Sequence, residues 1–235
     1  MAQRRYYELL TYRLITSSRT PALLEFLADA AIPAWNRQGI EPVGVLTTVY
    51  GTDMAAVHVL LPHPTIESVG MSRDKLLADT KFLEAGAEII ESGESNPAFV
   101  RMESSLLIGF PSMPSLELPD NNLERKSRIF EMRTYESPSL KTHKKKIEMF
   151  DRAGEIELFR EIGLRPVMFA ETIIGPRLPN LVYMLTFDSM VEHDEAWDRF
   201  KVDPRWIALR DDPQFSGLVS CISDIVFSPA SASQI

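Results

Sequence analysis

The hexapeptide "FEMRTY", Phe130 to Tyr135, sets a carboxylate, a guanidinium and a phenol at alternate positions: Glu131, Arg133 and Tyr135. In an extended strand alternate side chains share a face, so the three stand in a row. Such a row offers an anion-holding fork, a proton-moving acid and a hydroxyl donor. That set suits a carboxylate or enolate oxygen held by Arg133. A second hexapeptide, "YELLTY" from Tyr7 to Tyr12, presents Glu8, Leu10 and Tyr12 in the same alternation. It keeps the acid and the phenol and lacks the guanidinium.

Two further residues join the candidates. His58 lies in the apolar run "VHVLL" and Tyr183 in "VYMLT". A histidine on an inward strand face could be a base or a haem ligand; the plain alternative is a core histidine with its hydrogen bonds met. The candidate ligand-binding set is Glu8, Tyr12, His58, Glu131, Arg133, Tyr135 and Tyr183, with His58 or Glu131 moving a proton. Other titratable groups read as structural. His63, in "PHP", is expected in an exposed loop, and His143 with Lys144, Lys145 and Lys146 on a solvated helix face. "EHDE", Glu192 to Glu195, has metal-ligating letters, but adjacent helical residues diverge, so no metal site is expected. Acids at a helix start suit its dipole instead. No phosphate-cradling glycine loop, nucleophile elbow or His-Glu-x-x-His string is present.

Composition narrows the partners. A formal net charge of −8 argues against a nucleic-acid binder, which needs a basic surface. The single cysteine, Cys221, allows no intrachain disulfide. No run approaches the ~20 apolar residues of a membrane span. The opening residues hold no signal-type apolar run, so the expected setting is cytoplasmic. No cofactor is required by any motif; haem is the one considered, through His58.

The elements that must position these residues come in two copies. "YELLTY" answers "FEMRTY"; "GIEPV" (Gly39 to Val43) answers "GLRPV" (Gly163 to Val167); "VHVLL" (Val57 to Leu61) answers "VYMLT" (Val182 to Thr186), at an offset of 125; "SSLL" (Ser104 to Leu107) answers "SDIV" (Ser223 to Val226). Each half reads as a strand, a helix opened by Thr20-Pro21 or Ser137-Pro138, two strands, a second helix and a last strand. The first helix of the second half is expected to run unbroken to Gly163. The second helices are expected over about Arg73 to Ile90 and about Val191 to Arg210. The order is β-α-β-β-α-β twice, the ferredoxin-like arrangement. The fold class is α+β: tandem ferredoxin-like units, residues 1–110 and 128–228, packed sheet to sheet as an intrachain dimeric α/β barrel. A proline-rich linker is expected at 111–127 and a flexible tail at 229–235. The apolar strand set should meet the helices. The mixed set, Glu131 with Arg133 and Tyr135, should lie between the two sheets, either as hydrogen-bonding groups that hold the interface or as the lining of a small ligand pocket there.

The second half resembles a NIPSNAP domain through "FEMRTY", through "IIGP" (Ile173 to Pro176) followed by "NLVYML" (Asn180 to Leu185), and through "DPRW" (Asp203 to Trp206). The first half is similar through "YELLTY", "GIEPVGV" and "VHVLL". The resemblance implies the dimeric α/β-barrel fold, here in tandem, and no settled reaction. By it, the family's strand-three histidine is His58 in the first half and Tyr183 in the second, and its strand-one arginine is Arg133 in the second half and Leu10 in the first. The expected function is a NIPSNAP-like protein of unassigned activity that binds a small, partly apolar ligand between its sheets. The alternatives are a haem-binding or cofactor-independent monooxygenase-like enzyme, and a non-catalytic interaction scaffold. Edge strands leave a homo-oligomer open.

Overall fold

The computed structural model describes residues 3–51, 55–118 and 128–235. Two compact units form: Arg5–Leu106 together with Ser228–Ile235, and Leu107–Phe227. Both have the ferredoxin-like element order, so the mixed α/β class with two repeats holds.

The first unit opens with β1 (Tyr6–Arg13), then α1 (Thr20–Phe26) and α2 (Ile32–Arg37) joined by a π-helical turn at Leu27–Ala31. Pro21 sits in the first turn of α1, where a missing N–H costs nothing; Pro33 follows the π-helical turn directly, after the Ile32 amide that bonds back to Leu27 O. Then come β2 (Gly44–Tyr50), β3 (Ala56–His63), α3 (Ile66–Leu77), α4 (Thr80–Ala85), α5 (Ala87–Ile90) and β4 (Arg101–Gly109). The expected single helix from Arg73 to Ile90 is thus three. The Thr65 hydroxyl caps α3 by accepting from the Ser68 amide, and the Asp79 carboxylate caps α4 by accepting from the Phe82 amide. Each cap starts a new helix axis. The sheet order is β4-β1-β3-β2. Leu10 and Tyr12 of β1 and Val57, Val59 and Leu61 of β3 pack on Leu23, Leu27 and Trp35 of the helices.

The tail is a correction. Residues 229–235 do not fray. The Ala230 amide donates to Val45 O at 2.8 Å and the Gln234 amide to Val43 O at 2.9 Å. Ile235 is buried against Gly44, where an added Cβ would stand 2.6 Å from the isoleucine Cδ1. The backbone groups of Val43 and Val45 are what this small, polar segment satisfies, although it has no periodicity of its own.

The second unit comprises β5 (Ile129–Glu136), α6 (Leu140–Asp151), α7 (Glu155–Ile162), β6 (Arg165–Ile174), β7 (Asn180–Phe187), α8 (Met190–Val202), α9 (Pro204–Asp211) and β8 (Cys221–Pro229). Its sheet order is β8-β5-β7-β6. The expected unbroken helix is two, because Gly154 takes φ 92°, a left-handed conformation that ends α6 and aims α7 elsewhere. Likewise Asp203 caps α9, ending the run that began at Met190. Residues 107–118 pack with this unit: the Phe110 amide donates to Phe169 O at 2.9 Å and the Glu117 amide to Val167 O at 3.0 Å, with Phe110 and Met113 in the core. The first boundary therefore falls near 106 rather than 110. Of the expected linker, 111–118 is ordered chain and 119–127 lies outside the described residues. No helix among the described residues is long and apolar enough to cross a membrane.

Strand register corrects the alignment of the halves. Glu8 opposes Leu61 and Glu131 opposes Leu185; Leu10 opposes Val59 and Arg133 opposes Tyr183. Thr11 opposes His58, and Thr134 opposes Val182. His58 is thus the structural counterpart of Val182, and Tyr183 of Val59. The repeat offset in this strand is 124, not 125. A slip of one residue exchanges the two faces of a strand.

Candidate functional site

In the first unit a cavity of about 540 Å³ lies between the sheet and the helices. Its walls are mainly apolar, from Leu10, Phe26, Trp35, Leu61, Leu76 and Phe99, and Glu8, Tyr12, Ser72 and Arg73 supply polar groups. Glu8 Oε1 accepts from Ser104 Oγ at 2.7 Å and from Arg73 Nη2 at 3.1 Å; Glu8 Oε2 lies 3.6 Å from His63 Nε2. Burial pushes the Glu8 carboxyl up. The hydrogen bonds from His63 and Ser104 and the charge of Arg73 outweigh it and hold the group below its ordinary value. Tyr12 is raised, by burial first and by the Glu8 charge second, so it stays a neutral phenol. The Ser72 hydroxyl is buried with no hydrogen-bond partner.

In the second unit the same side of the sheet is filled. Phe169 and Tyr183 stack at 4.8 Å, and Phe150, Phe159, Trp197 and Phe200 close around them. Tyr183 OH donates to Tyr135 OH at 3.2 Å. Glu131 Oε2 accepts from Trp197 Nε1 at 2.8 Å and stands 3.4 Å from His193 Nε2. Arg133 lies over the Trp197 ring at 4.6 Å and reaches Glu131 Oε1 at 3.5 Å. Burial raises both Tyr135 and Tyr183. The hydrogen bond to Glu131 raises His193. Behind this cluster, Lys146 and Glu155 form a buried pair at 3.1 Å, with the Lys146 ammonium over the Phe150 ring at 4.1 Å.

The sequence-derived candidates therefore fall into two groups. Glu8 and Tyr12 meet at the first cavity; Glu131, Arg133, Tyr135 and Tyr183 meet in the second unit. Both mixed strand faces turn toward the helices of their own unit, not to the bare face, which reverses the expected assignment. Alternation defines two faces but does not say which one the helices cover, and here helix residues such as Arg73 and Trp197 carry the complementary polar atoms. His58 joins neither group. It occupies the opposite face of β3, with Nδ1 3.1 Å from Thr11 Oγ1.

Several partners escaped the sequence reading. His63 is fully buried, not in an exposed loop, with Nδ1 3.0 Å from Ser68 Oγ. His143 and Lys146 are buried too, while Lys144 is exposed and paired with Glu171 at 2.7 Å, and Lys145 is half-buried and paired with Glu148 at 3.0 Å. The period of α6 already placed His143 on its apolar stripe, which was the available signal. His193 faces Glu131, with Nε2 3.4 Å from its carboxylate oxygen. Among the described residues no group of three metal-ligating side chains is found. The cavity wall includes no histidine or cysteine and His58 faces away, so the residues do not fit a histidine-ligated haem.

The NIPSNAP family model matches residues 7–114 and 130–234. Among curated proteins, none matches. A solved structure from Lactobacillus acidophilus NCFM, a monooxygenase by provisional assignment, is similar at TM-score 0.62 and 7% identity, covering 97% of this chain and 94% of its own. Another from Fusobacterium nucleatum, with the same provisional assignment, gives 0.60 and 8%, covering 97% and 94%. An anthrone oxidase-like protein gives 0.52 and 11%, covering 97% and 92%. At such identities these likenesses show a shared fold. The family match covers both repeats and nearly the whole sequence: the chain belongs to the NIPSNAP family, with two NIPSNAP domains in tandem.

Proposed function

We propose that the first unit binds a small, largely apolar molecule in its helix-side cavity, with Glu8, Tyr12, Ser72 and Arg73 meeting the ligand's polar atoms. The carrying observation is the cavity itself. About 540 Å³ of space bordered by apolar walls and a few convergent polar groups is the usual form of a small-molecule site. Contrast within the chain supports it. The positions of Val45 and Val59 in this unit are Phe169 and Tyr183 in the other, where the aromatic rings occupy the corresponding space. The test is titration with the neutral apolar fluorophore N-phenyl-1-naphthylamine. Saturable fluorescence enhancement is expected, and Leu61→Trp, which fills the cavity, should abolish it. Equal enhancement in the folded variant would dismiss the site.

Glu8 favours a second reading, turnover without a cofactor. It is an ionised carboxylate on the cavity wall with His63 behind it, an arrangement able to accept a proton from a bound C–H or O–H. The likeness in fold to proteins named as monooxygenases and as anthrone oxidase-like supports the same idea. Oxygen uptake on adding anthrone, lost in Glu8→Gln, would support turnover. No uptake removes this reading and leaves binding.

A further inference from the structure

Arg133 is short of partners for a half-buried guanidinium. A guanidinium carries five N–H donors in a fixed fork. Here Nη1 makes one long contact, 3.5 Å to Glu131 Oε1, and the buried Nε has no hydrogen-bond partner. Charge-assisted bonds of this type normally run ~2.7–2.9 Å. Glu131 does not depend on Arg133, since Trp197 and His193 already serve its other oxygen. The exposed Asp224 faces Arg133 across β5 and β8 and adds a favourable field. No ion pair within 4.0 Å forms between them. The fold does not ask for an arginine either, because the same repeat position is Leu10 in the first unit. A partly desolvated charge kept without full pairing is costly, and each such group in a folded protein calls for an explanation.

The surroundings say what would complete it. The Trp197 ring beneath and the Tyr135 ring at 5.7 Å hold the plane of the fork. The Tyr135 oxygen accepts from Tyr183, which leaves the Tyr135 O–H to donate elsewhere. The Arg133 side chain keeps 20% exposure, so the fork is reachable from solvent. We propose that Arg133, braced by Trp197 and flanked by the Tyr135 hydroxyl, binds the carboxylate of a small molecule in the second unit. This site is independent of the first-unit cavity. A planar two-oxygen anion matches the fork in a way a spherical ion does not.

The experiment follows the Trp197 Nε1–H resonance by NMR in the whole protein, a reporter that lies against the Arg133 fork and is present in every variant. Formate, acetate and benzoate are titrated in turn, with chloride and inorganic phosphate at matched ionic strength. A saturable shift with carboxylates is expected, larger than with chloride. Arg133→Gln should weaken carboxylate binding about tenfold or more, the effect of losing one charge-assisted bond. Lys81→Gln, at an exposed cation of α4 in the first unit, should leave it unchanged. If Arg133→Gln does not fold, Arg133→Lys, which keeps the charge without the fork, should weaken it by a smaller factor. No saturable shift with any carboxylate, an equal shift with chloride, or tighter binding of phosphate than of every carboxylate would overturn the proposal.

Discussion

Trp197 donates its indole N–H to Glu131 at 2.8 Å, and both side chains are buried. The bond ties α8 to the middle of β5, and His193 one turn earlier on the same helix reaches the same carboxylate oxygen at 3.4 Å. Trp197→Phe keeps most of the ring contacts with Phe159 and Phe200 but removes the donor. The expected loss is about 1–3 kcal/mol, the cost of leaving a buried acceptor short of its partner. Chemical denaturation checks it; a loss indistinguishable from zero would mean that water or a rearranged Arg133 replaces the bond.

His193 gives this tie a pH dependence. Its folded value is raised above the ordinary 6.5, chiefly by the hydrogen bond to Glu131. The stability it contributes is therefore complete below 6.5 and is lost as pH rises through the folded value. Wild type should lose stability against His193→Asn over that window, and parallel profiles of the two proteins would refute the assignment.

Lys146 and Glu155 carry opposite charges into the second core at 3.1 Å. Burial pushes the Glu155 carboxyl up, and Lys146 opposes that. Lys146→Met strands Glu155 and should cost about 3–5 kcal/mol. Lys146→Met with Glu155→Leu should recover most of that loss. A double variant as unstable as the single one would show that packing, not charge, dominates at this position.

Glu8 works in the opposite pH direction. Its folded value lies below the ordinary 4.5, so its contribution is complete above 4.5 and disappears as pH falls through the folded value. In acid titrations the difference between wild type and Glu8→Gln should shrink below 4.5. A difference that persists unchanged into stronger acid would mean the carboxylate charge is not what stabilises this wall.

Much was legible in the letters. The doubled hexapeptides, the glycines that end helices and the alternation in β1 and β5 carry local rules of strand and helix, and those rules act over a few residues. They gave the repeat, the ferredoxin-like order and the grouping of Glu131, Arg133 and Tyr135 on one face. Which face meets the helices was not legible, because alternation is symmetric between the two sides until packing chooses. The pairing register of β3 was not legible either: His58 and Tyr183 align by letters, yet Thr11 opposes His58 and Thr134 opposes Val182. Long-range partners such as Arg73 for Glu8, Trp197 for Glu131 and the tail residue Gln234 for Val43 are far away in sequence. Only the folded chain brings them together, since their pairing is set by burial and by unmet backbone hydrogen bonds rather than by any local pattern. Sequence alone determined the two repeats and their elements; tertiary structure decided that one repeat keeps a cavity where the other has closed its own with aromatic rings.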